Sequence, residues 1–335
     1  MDNPILASSP RFWSSVRGYQ LHKRVITYMS LNQDSICNYA CQGCFRYPER
    51  RNGLSNLLRI SDYIHLLREF KKSGGLAIEI SGEGEPLHPQ NQFRTLSIIR
   101  YASKLGLWTT LITNGSLLTQ KILKELRDLQ VALIVSLHSL EKQSYEKDSC
   151  RRDSFETAMN NIDMAGQIFR GTSWKENGYD VKRLCVHWTL QNDNLPELSN
   201  ARKFCDDKRL HFSIAPLANV GHALSHPEIQ LPPEFYNLQE INSIGDESII
   251  FYDEPNGRIV CGTCKYGLNV GADGNILLDA HGGYEVEIAN IRDISFKEAV
   301  ELQHRFSRKM FDKLDHFCPV RDPGWNNFLK NKEYF

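Results

Sequence analysis

The sequence of 335 residues lacks any run of about 18 consecutive apolar residues, the shortest stretch that serves as a membrane-spanning helix. It also begins without the positively charged segment and apolar core of a secretory signal. From these two absences we expect a cytoplasmic protein that does not associate with membranes.

A charge surplus is missing as well. The 40 Lys and Arg residues balance the 40 Asp and Glu residues, and the pI is about 7.1. A protein whose main partner is DNA or RNA usually carries a basic surplus, so we expect no nucleic-acid partner. The remaining composition, 41% hydrophobic and 24% charged, is ordinary for a globular protein, and the length suits one large domain with a small appendage.

The nine cysteines form neither an even set nor the two separated pairs of a structural zinc site. In a cytoplasmic chain this favours metal binding or catalysis over disulfides. Three of them, Cys37, Cys41 and Cys44, stand in a C-x3-C-x2-C pattern. Three thiolates from one short loop can bind an iron–sulfur cluster, and a four-iron cluster then keeps one iron open for a small molecule. Zinc binding and three unrelated buried cysteines are the alternatives.

The cysteine loop, with the aromatic Phe45 directly after it, resembles the cluster loop of radical S-adenosylmethionine (SAM) enzymes. The resemblance implies that the open iron of a [4Fe–4S] cluster binds the amino and carboxylate groups of SAM. One electron, supplied by a flavodoxin- or ferredoxin-type donor, then cleaves SAM to a 5′-deoxyadenosyl radical. This radical abstracts a hydrogen atom from the substrate.

Strand-like segments alternate with helical segments through the first two thirds of the chain. Runs rich in β-branched and aromatic residues predict strands over residues 24–31, 76–81, 107–113, 131–137, 183–190 and 210–216. Strands that alternate with helices imply parallel βαβ units with right-handed crossovers. We therefore expect an α/β fold, a partial (β/α)6 TIM-like barrel over residues 25–216.

The rest of the chain divides into three segments. Residues 1–24 are interpreted as an irregular N-terminal extension, and residues 217–258, rich in Pro, Asn and Glu, as a linker. A small C-terminal β-hairpin and helix module is predicted over residues 259–335. Its signals are the hairpin turn ADGN between short strands, and Ser295 with Glu298 as a capping box.

Each predicted strand but the last is followed by a polar motif. The motifs, in strand order, are CNYACQGC, GEGEP, TNG, SLHS and QNDN. In barrels of this type the chemistry lies at the carboxyl ends of the strands. We therefore expect these motifs to form one site.

The resemblance also implies which residues bind SAM, each with a plain structural alternative. Glycines let the backbone approach a ligand closely, and a carboxylate suits an ammonium group, although GEGEP could be an ordinary turn. The implied contacts are Glu83, Gly84 and Glu85 at the amino group, Asn114, Ser136 at the ribose, and Arg151 or Arg152 at the carboxylate. His138 stands where many relatives carry an acidic residue, and either faces the substrate or is a satisfied polar residue.

The C-terminal module resembles part of the auxiliary-cluster domain called SPASM, or its shorter relative called twitch. Cys261 matches the first cysteine of that pattern, Cys318 a late one, and Asp279 stands where the second belongs; Cys264 is additional. Three interpretations stay open. In the first, Cys261, Cys264, Cys318 and one oxygen or nitrogen ligand bind a second iron–sulfur cluster. In the second, that cluster is lost and one of these thiols donates a hydrogen atom, with Cys261 and Cys264 the catalytic candidates. In the third, the cysteines bind zinc or are structural.

We expect the enzyme to modify a small polar substrate, such as a sugar, aminocyclitol or nucleoside, by epimerisation or dehydrogenation in natural-product biosynthesis. The first alternative is modification of a ribosomally made peptide, because SPASM-like tails are common in that class. RNA methylation is weaker because the net charge is zero. A metal-binding or electron-transfer protein without enzymatic activity would leave the other strand-end motifs unexplained.

Overall fold

A computed structural model describes residue 26 and residues 28–46, 52–82, 84–172, 174–176, 179–218, 220–232, 251–253, 259–261, 267–278 and 287–314. Its centre is an open sheet of nine strands, six of which are neighbours that run parallel. The predicted α/β fold with a partial barrel is confirmed.

The strands of this sheet are β1 (Tyr28–Gln33), β2 (Ala77–Gly82), β3 (Trp108–Thr113), β4 (Ala132–Ser136), β7 (Leu184–Leu190), β8 (His211–Pro216), β11 (Gly267–Val270), β12 (Asn275–Leu277) and β13 (Glu287–Asn290). Their order across the sheet is β13-β12-β11-β1-β2-β3-β4-β7-β8, and the six from β1 to β8 in that order are the parallel ones. Two short hairpins lie outside it, β5 (Trp174–Glu176) with β6 (Tyr179–Val181), and β9 (Phe251–Asp253) with β10 (Ile259–Cys261).

The helices are α1 (Ile60–Lys72), α2 (Pro89–Lys104), α3 (Gln120–Asp128), α4 (Lys142–Ser149), α5 (Ser154–Ile168), α6 (Leu198–Lys208) and α7 (Phe296–Lys313). Short 3₁₀ helices cover Leu195–Glu197, Gly221–Ser225 and Pro227–Ile229. In the part of the chain that the structure describes, every helix is too short or too polar to cross a membrane.

The core lies on the helix-covered face of the sheet. Leu133 and Val135 of β4 are fully buried there, together with side chains from the helices. On the opposite face, the described residues include a small apolar cluster of Ile134, Cys185 and the half-buried Ile112. Because both faces of a parallel strand are covered, such strands show the continuous apolar run that predicted β4.

The C-terminal strands extend the sheet beyond β1. Strand β11 pairs with β1 in parallel, with Tyr28 opposite Gly267. Helix α7 packs on α1, where the rings of Phe70 and Phe296 meet edge to face at 6.3 Å. The hairpin and helix predicted from the sequence are present, and the hairpin strand β11 shares the core of the parallel strands.

Helix α4 was not predicted, because the segment was interpreted as a polar loop. Half of its residues are exposed, and the buried ones are Tyr145, Asp148 and Ser149, so no helical apolar period is visible in the sequence. The ring of Tyr145 packs edge to face on Phe155 at 5.9 Å. This contact attaches the helix to α5 and places its C-terminal end beside the cysteine loop.

We expect Phe70→Ala to lower the free energy of unfolding by about 3–5 kcal/mol, because it removes a fully buried ring from the contact with α7. Urea denaturation measures the change. Phe93→Ala is the matched control: that ring is 71% exposed, so the loss should stay below about 0.5 kcal/mol. Equal losses in the two variants would contradict the shared core.

Candidate active site

The carboxyl ends of the parallel strands surround a cavity of about 220 Å³. Cys37, Cys41 and Cys44 lie on one side of it, and Ser136, His138 and His187 line it from β4 and β7. Motifs that are far apart in the sequence therefore meet at one edge of the sheet. This is the arrangement that the order of motifs and strands predicted.

Two sets of contacts, one from Arg46 and one from the end of α4, hold the cysteine loop. The buried guanidinium of Arg46 donates to the carbonyl oxygens of Ser35 and Tyr39, the latter at 3.2 Å. The N–H groups of Ala40 and Gln42 donate to the carbonyls at the end of α4, at 3.2 and 2.9 Å. The loop is therefore shaped by the protein itself.

The three thiols suit a metal cluster. The Sγ atoms of Cys37 and Cys44 each accept an N–H bond of 3.4 Å, from Tyr39 and Arg46. Burial raises the pKa of the Cys37 thiol to about 11, and burial followed by the nearby Asp148 raises the pKa of Cys41 well above its usual value. The thiols of Cys37 and Cys41 therefore stay protonated until a cationic metal centre binds, so metal binding and proton release are coupled.

Gly84 allows two loops of the protein to touch. A Cβ atom at this position would lie 1.9 Å from the carbonyl oxygen of Asp34 and 2.5 Å from that of Ile36. The next residue, Glu85, donates its N–H to the Ile36 carbonyl at 3.0 Å. The loop after β2 thus supports the start of the cysteine loop through direct backbone contact.

The Glu85 carboxylate joins two strand ends. Its Oε1 accepts from the Leu87 N–H at 2.9 Å and the Thr113 hydroxyl at 2.7 Å, and its Oε2 accepts from the Asn114 N–H at 2.8 Å. Burial raises the pKa of Glu85, and the three donors lower it. The carboxylate is thus satisfied by the protein alone.

Asn114 connects the end of β3 to the cysteine loop. Its Oδ1 accepts the backbone N–H of Ser116 at 2.9 Å, which fixes the orientation of the amide because a backbone N–H can only donate. Its Nδ2 therefore faces the Oδ1 of Asn38 at 3.0 Å and the Sγ of Cys37 at 3.8 Å. Asn114 thus donates to a candidate cluster ligand.

Of the remaining predicted SAM contacts, Ser136 lies at the cavity, and Arg151 and Arg152 do not. Ser136 lines the cavity at the end of β4. Arg151 lies outside it, with Nη1 donating to the Asn38 carbonyl at 3.1 Å and the guanidinium 6.0 Å from the centre of the Tyr39 ring. Arg152 is exposed, and neither arginine is among the described residues that line the cavity.

Several predicted residues lie outside the described part of the chain. They are Glu83, Cys264, Asp279 and Cys318. Cys261 is the last residue of β10, and the surroundings of its side chain are likewise not described.

Sequence reasoning missed the 3₁₀ segment after β8, which it assigned to the linker. The Nδ1 of His222 lies 2.8 Å from the Cys41 carbonyl, and the Ala223 N–H donates to the Cys44 carbonyl at 3.2 Å. Gly221 has φ +61°, and a Cβ atom there would lie 2.0 Å from the Phe45 carbonyl oxygen. Only the glycine was a signal in the sequence, and one glycine is too common to indicate such a contact.

Comparison with known proteins agrees with this geometry. The model of the radical SAM superfamily matches residues 35–174, from the cysteine loop to the end of α5 and just beyond. Residues 35–174 are a radical SAM domain. Proteins of this superfamily use a [4Fe–4S] cluster and SAM, so these are the cofactors of the domain. The three thiols and the cavity beside them fit the cluster.

Two curated relatives match short segments of the chain. An uncharacterized protein of Methanocaldococcus jannaschii is 38% identical over 91 residues, which is 27% of this chain and 31% of the relative. The S-adenosylmethionine-dependent nucleotide dehydratase of Selenomonas ruminantium is 35% identical over 91 residues, 27% of this chain and 30% of the relative. The matches thus span less than a third of these relatives.

One solved structure has a fold that resembles most of this chain. The structure of SuiB from Streptococcus suis, bound to S-adenosylmethionine, has a TM-score of 0.63 at 15% identity. The match covers 86% of this chain and 69% of SuiB. At this identity the likeness shows the fold.

We expect Gly84→Ala to abolish most iron binding after anaerobic reconstitution, because the new Cβ would push the loop after β2 off the cysteine loop. Iron per chain is the measurement. Gly166→Ala is the control: the site in α5 has open space for a Cβ, and Ala there should stabilise the helix by about 0.5–1 kcal/mol. Normal iron content in Gly84→Ala would contradict the contact.

We expect Asn114→Ala to make the reduction potential of the cluster more negative, because hydrogen bonds to cluster sulfurs help to set it. A shift of up to about 59 mV, a tenfold change for a one-electron couple, is measurable by potentiometric EPR. Asn161→Ala is the control. Its Nδ2 supports the same turn through the carbonyls of Gly115 and Ser116 without touching sulfur. Equal shifts would assign the effect to a loosened turn.

Proposed function

We propose that this protein is a radical SAM enzyme that abstracts a hydrogen atom from a small polar substrate of the sugar, aminocyclitol or nucleoside type. The observation that supports this is that one cavity brings together two groups of side chains. Cys37, Cys41 and Cys44 line it, and so do polar side chains at the ends of β4 and β7.

The polar side chains at the ends of β4 and β7 lie in register across the sheet. Ser136 of β4 stands opposite His187 of β7, and the Nδ1 of His187 lies 3.1 Å from the hydroxyl of the fully buried Ser213 on β8. Strands in register present these residues on one face. An array of hydroxyl and imidazole groups suits a ligand that carries several oxygen or nitrogen atoms.

The ring of His138 adds a buried nitrogen without a hydrogen-bond partner among the described residues. Its carbonyl accepts from the Asn194 Nδ2 at 3.0 Å, which fixes the backbone at the end of β4. Its ring Nδ1 is buried and has no hydrogen-bond partner within the described residues, although the side chain lines the cavity. Buried polar atoms are rarely left without partners, so a polar ligand group is the expected one.

The protein supplies positioning, and the cofactors supply the reactive group. When bound, the cluster and SAM together provide a 5′-deoxyadenosyl radical; Cys37, Cys41 and Cys44 would hold the cluster. We propose that Ser136 contacts the ribose of SAM, and that His138 and His187 orient the substrate in the same cavity. The electron would come from a flavodoxin- or ferredoxin-type donor.

The outcome of the reaction depends on what removes the substrate radical. Epimerisation requires a thiol that returns a hydrogen atom, and dehydrogenation requires an electron acceptor such as a second iron–sulfur cluster. We propose Cys261, Cys264 and Cys318 for one of these roles. The curated relative from Selenomonas ruminantium, which is named as a nucleotide dehydratase, supports a small polar substrate.

Modification of a peptide is the second candidate. It is favoured by one observation: SuiB, which shares the fold, was also solved bound to its precursor peptide. A peptide would have to enter the same cavity from the open side of the sheet. Identification of the substrate decides between the two candidates.

We expect Cys37→Ala, Cys41→Ala and Cys44→Ala each to abolish reductive cleavage of SAM to 5′-deoxyadenosine and to lower the iron content. The reason is that all three thiols face one cavity. Iron quantitation and chromatography of 5′-deoxyadenosine under dithionite are the measurements. Cys150→Ala, at an exposed thiol after α4, should keep both properties. Wild-type protein that binds zinc and no iron would overturn the proposed function.

A further inference from the structure

Two histidine rings meet in the segment that follows β8. The Nε2 atoms of His222 and His226 are 3.3 Å apart, and the two ring planes stand at 88°. The residues are four apart in the sequence, and histidines at this spacing bind zinc in several kinds of protein. Neither ring is among the described residues that line the cavity beside the cysteine loop. The pair is therefore separate from the site proposed for the cluster and SAM.

The other ring nitrogen of each histidine has an oxygen partner. The Nδ1 of His222 lies 2.8 Å from the Cys41 carbonyl, and the Nδ1 of His226 lies 3.0 Å from Oε1 of Glu228. A carbonyl oxygen only accepts hydrogen bonds. A backbone N–H, followed by the bond from His226, lowers the pKa of Glu228, so its carboxylate is ionised and also only accepts. Both Nδ1 atoms therefore carry a proton, and in each neutral ring the lone pair is at Nε2.

Two lone pairs at this distance repel each other unless a proton or a metal cation lies between them. Charge-assisted hydrogen bonds are usually about 2.7–2.9 Å long, shorter than the 3.3 Å between the two Nε2 atoms. The ring centres are 4.7 Å apart, too close for the nitrogens to face each other head-on as a linear N–H···N bond requires. The geometry therefore favours a shared metal cation over a shared proton.

The distance between the nitrogens fits a metal ion of the zinc class. Tetrahedral zinc with bonds of about 2.0–2.1 Å to nitrogen holds two ligand nitrogens about 3.3–3.4 Å apart. Histidines that bind a metal usually donate the other ring N–H to a carbonyl or a carboxylate. The Cys41 carbonyl and the Glu228 carboxylate accept those bonds here. The pair thus has both the ligand spacing and the supporting hydrogen bonds of a zinc site.

The surroundings of the pair attract a cation. Glu228 contacts His226 directly, and Asp193 lies near Glu228. Burial raises the pKa of Asp193, Lys147 lowers it, and the carboxylates of Asp148 and Glu228 raise it, so negative charge accumulates here. Lys147, with its Nζ 3.9 Å from Asp193, offsets part of that charge. The side chain of His226 is 22% exposed, so an ion can reach the pair from solvent.

We propose that His222 and His226 bind a divalent transition metal ion of the zinc class through their Nε2 atoms, with water or an external ligand at the remaining positions. The inference goes beyond the proposed function, because this ion is separate from the iron at the cysteine loop. The ring of His222 also contacts the Cys41 carbonyl. The ion would therefore brace the 3₁₀ segment that supports the cysteine loop.

Equilibrium dialysis of the cluster-loaded protein against Zn²⁺ under anaerobic conditions tests the site. The wild type should bind about one zinc ion per chain more than His226→Gln, which lacks one of the two imidazole ligands. His65→Gln is the matched control, at an exposed histidine of α1, and should bind as much zinc as the wild type. The other thiols and imidazoles of the chain contribute equally to all three proteins, so the difference measures the pair.

Zinc K-edge X-ray absorption identifies the ligands of that ion. The zinc that the wild type binds and His226→Gln does not should have nitrogen or oxygen ligands at about 2.0–2.1 Å, whereas thiolate sulfur lies at about 2.3 Å. Glu228→Gln removes the carboxylate that orients His226 and should weaken zinc binding about tenfold. If His226→Gln contains less iron than the wild type, Glu228→Gln, at an exposed residue, supplies the comparison.

Equal zinc binding by the wild type, His226→Gln and Glu228→Gln would overturn the inference. Thiolate ligands for the zinc that distinguishes the wild type from His226→Gln would also overturn it. Iron content and cleavage of SAM in the wild type test the proposed function separately. Failure of the zinc site would thus leave that function standing.

Discussion

The cysteine loop has no helix or strand of its own, so its shape depends on polar contacts with the elements around it. The buried Arg46 guanidinium binds two of its carbonyls from within. Glu85 and Gly84 support it from the end of β2, and the 3₁₀ segment at His222 supports it from the far end of the sheet. These contacts fix the relative positions of the three half-buried thiols, because a loop of this length lacks the backbone pairing of a helix or strand.

The parallel strands could be predicted from the sequence because a strand buried on both faces leaves a continuous apolar run. The pairing of β11 with β1 could not be predicted, because nothing local to residues 267–270 indicates that the partner is a strand near the start of the chain. Helix α4 was not predicted from the sequence for a different reason. Its stability comes from Tyr145 packing on Phe155 and from the loop contacts of its last residues, rather than from an apolar stripe.

The site shows the same division. The spacing of Cys37, Cys41 and Cys44 was sufficient to predict one metal centre, and the order of motifs predicted that they would meet the ends of the other strands. Hydrogen-bond capacity could not be predicted. Glu85 and Asp148 are both acidic residues, yet one is satisfied by Leu87, Thr113 and Asn114, and the other has a single amide partner. That difference depends on which side chains the fold brings near each carboxylate.

Charge determines the order in which the site can be filled. Burial raises the pKa values of Cys37 and Cys41, so these two thiols lose their protons only when a cationic metal centre displaces them. Asp148 already contributes one buried carboxylate on the same side, where it also disfavours the thiolate of Cys41. The thiolates form together with the cationic metal centre, which offsets most of their negative charge. The pH at which the metal centre forms should therefore depend on the pKa values of these thiols.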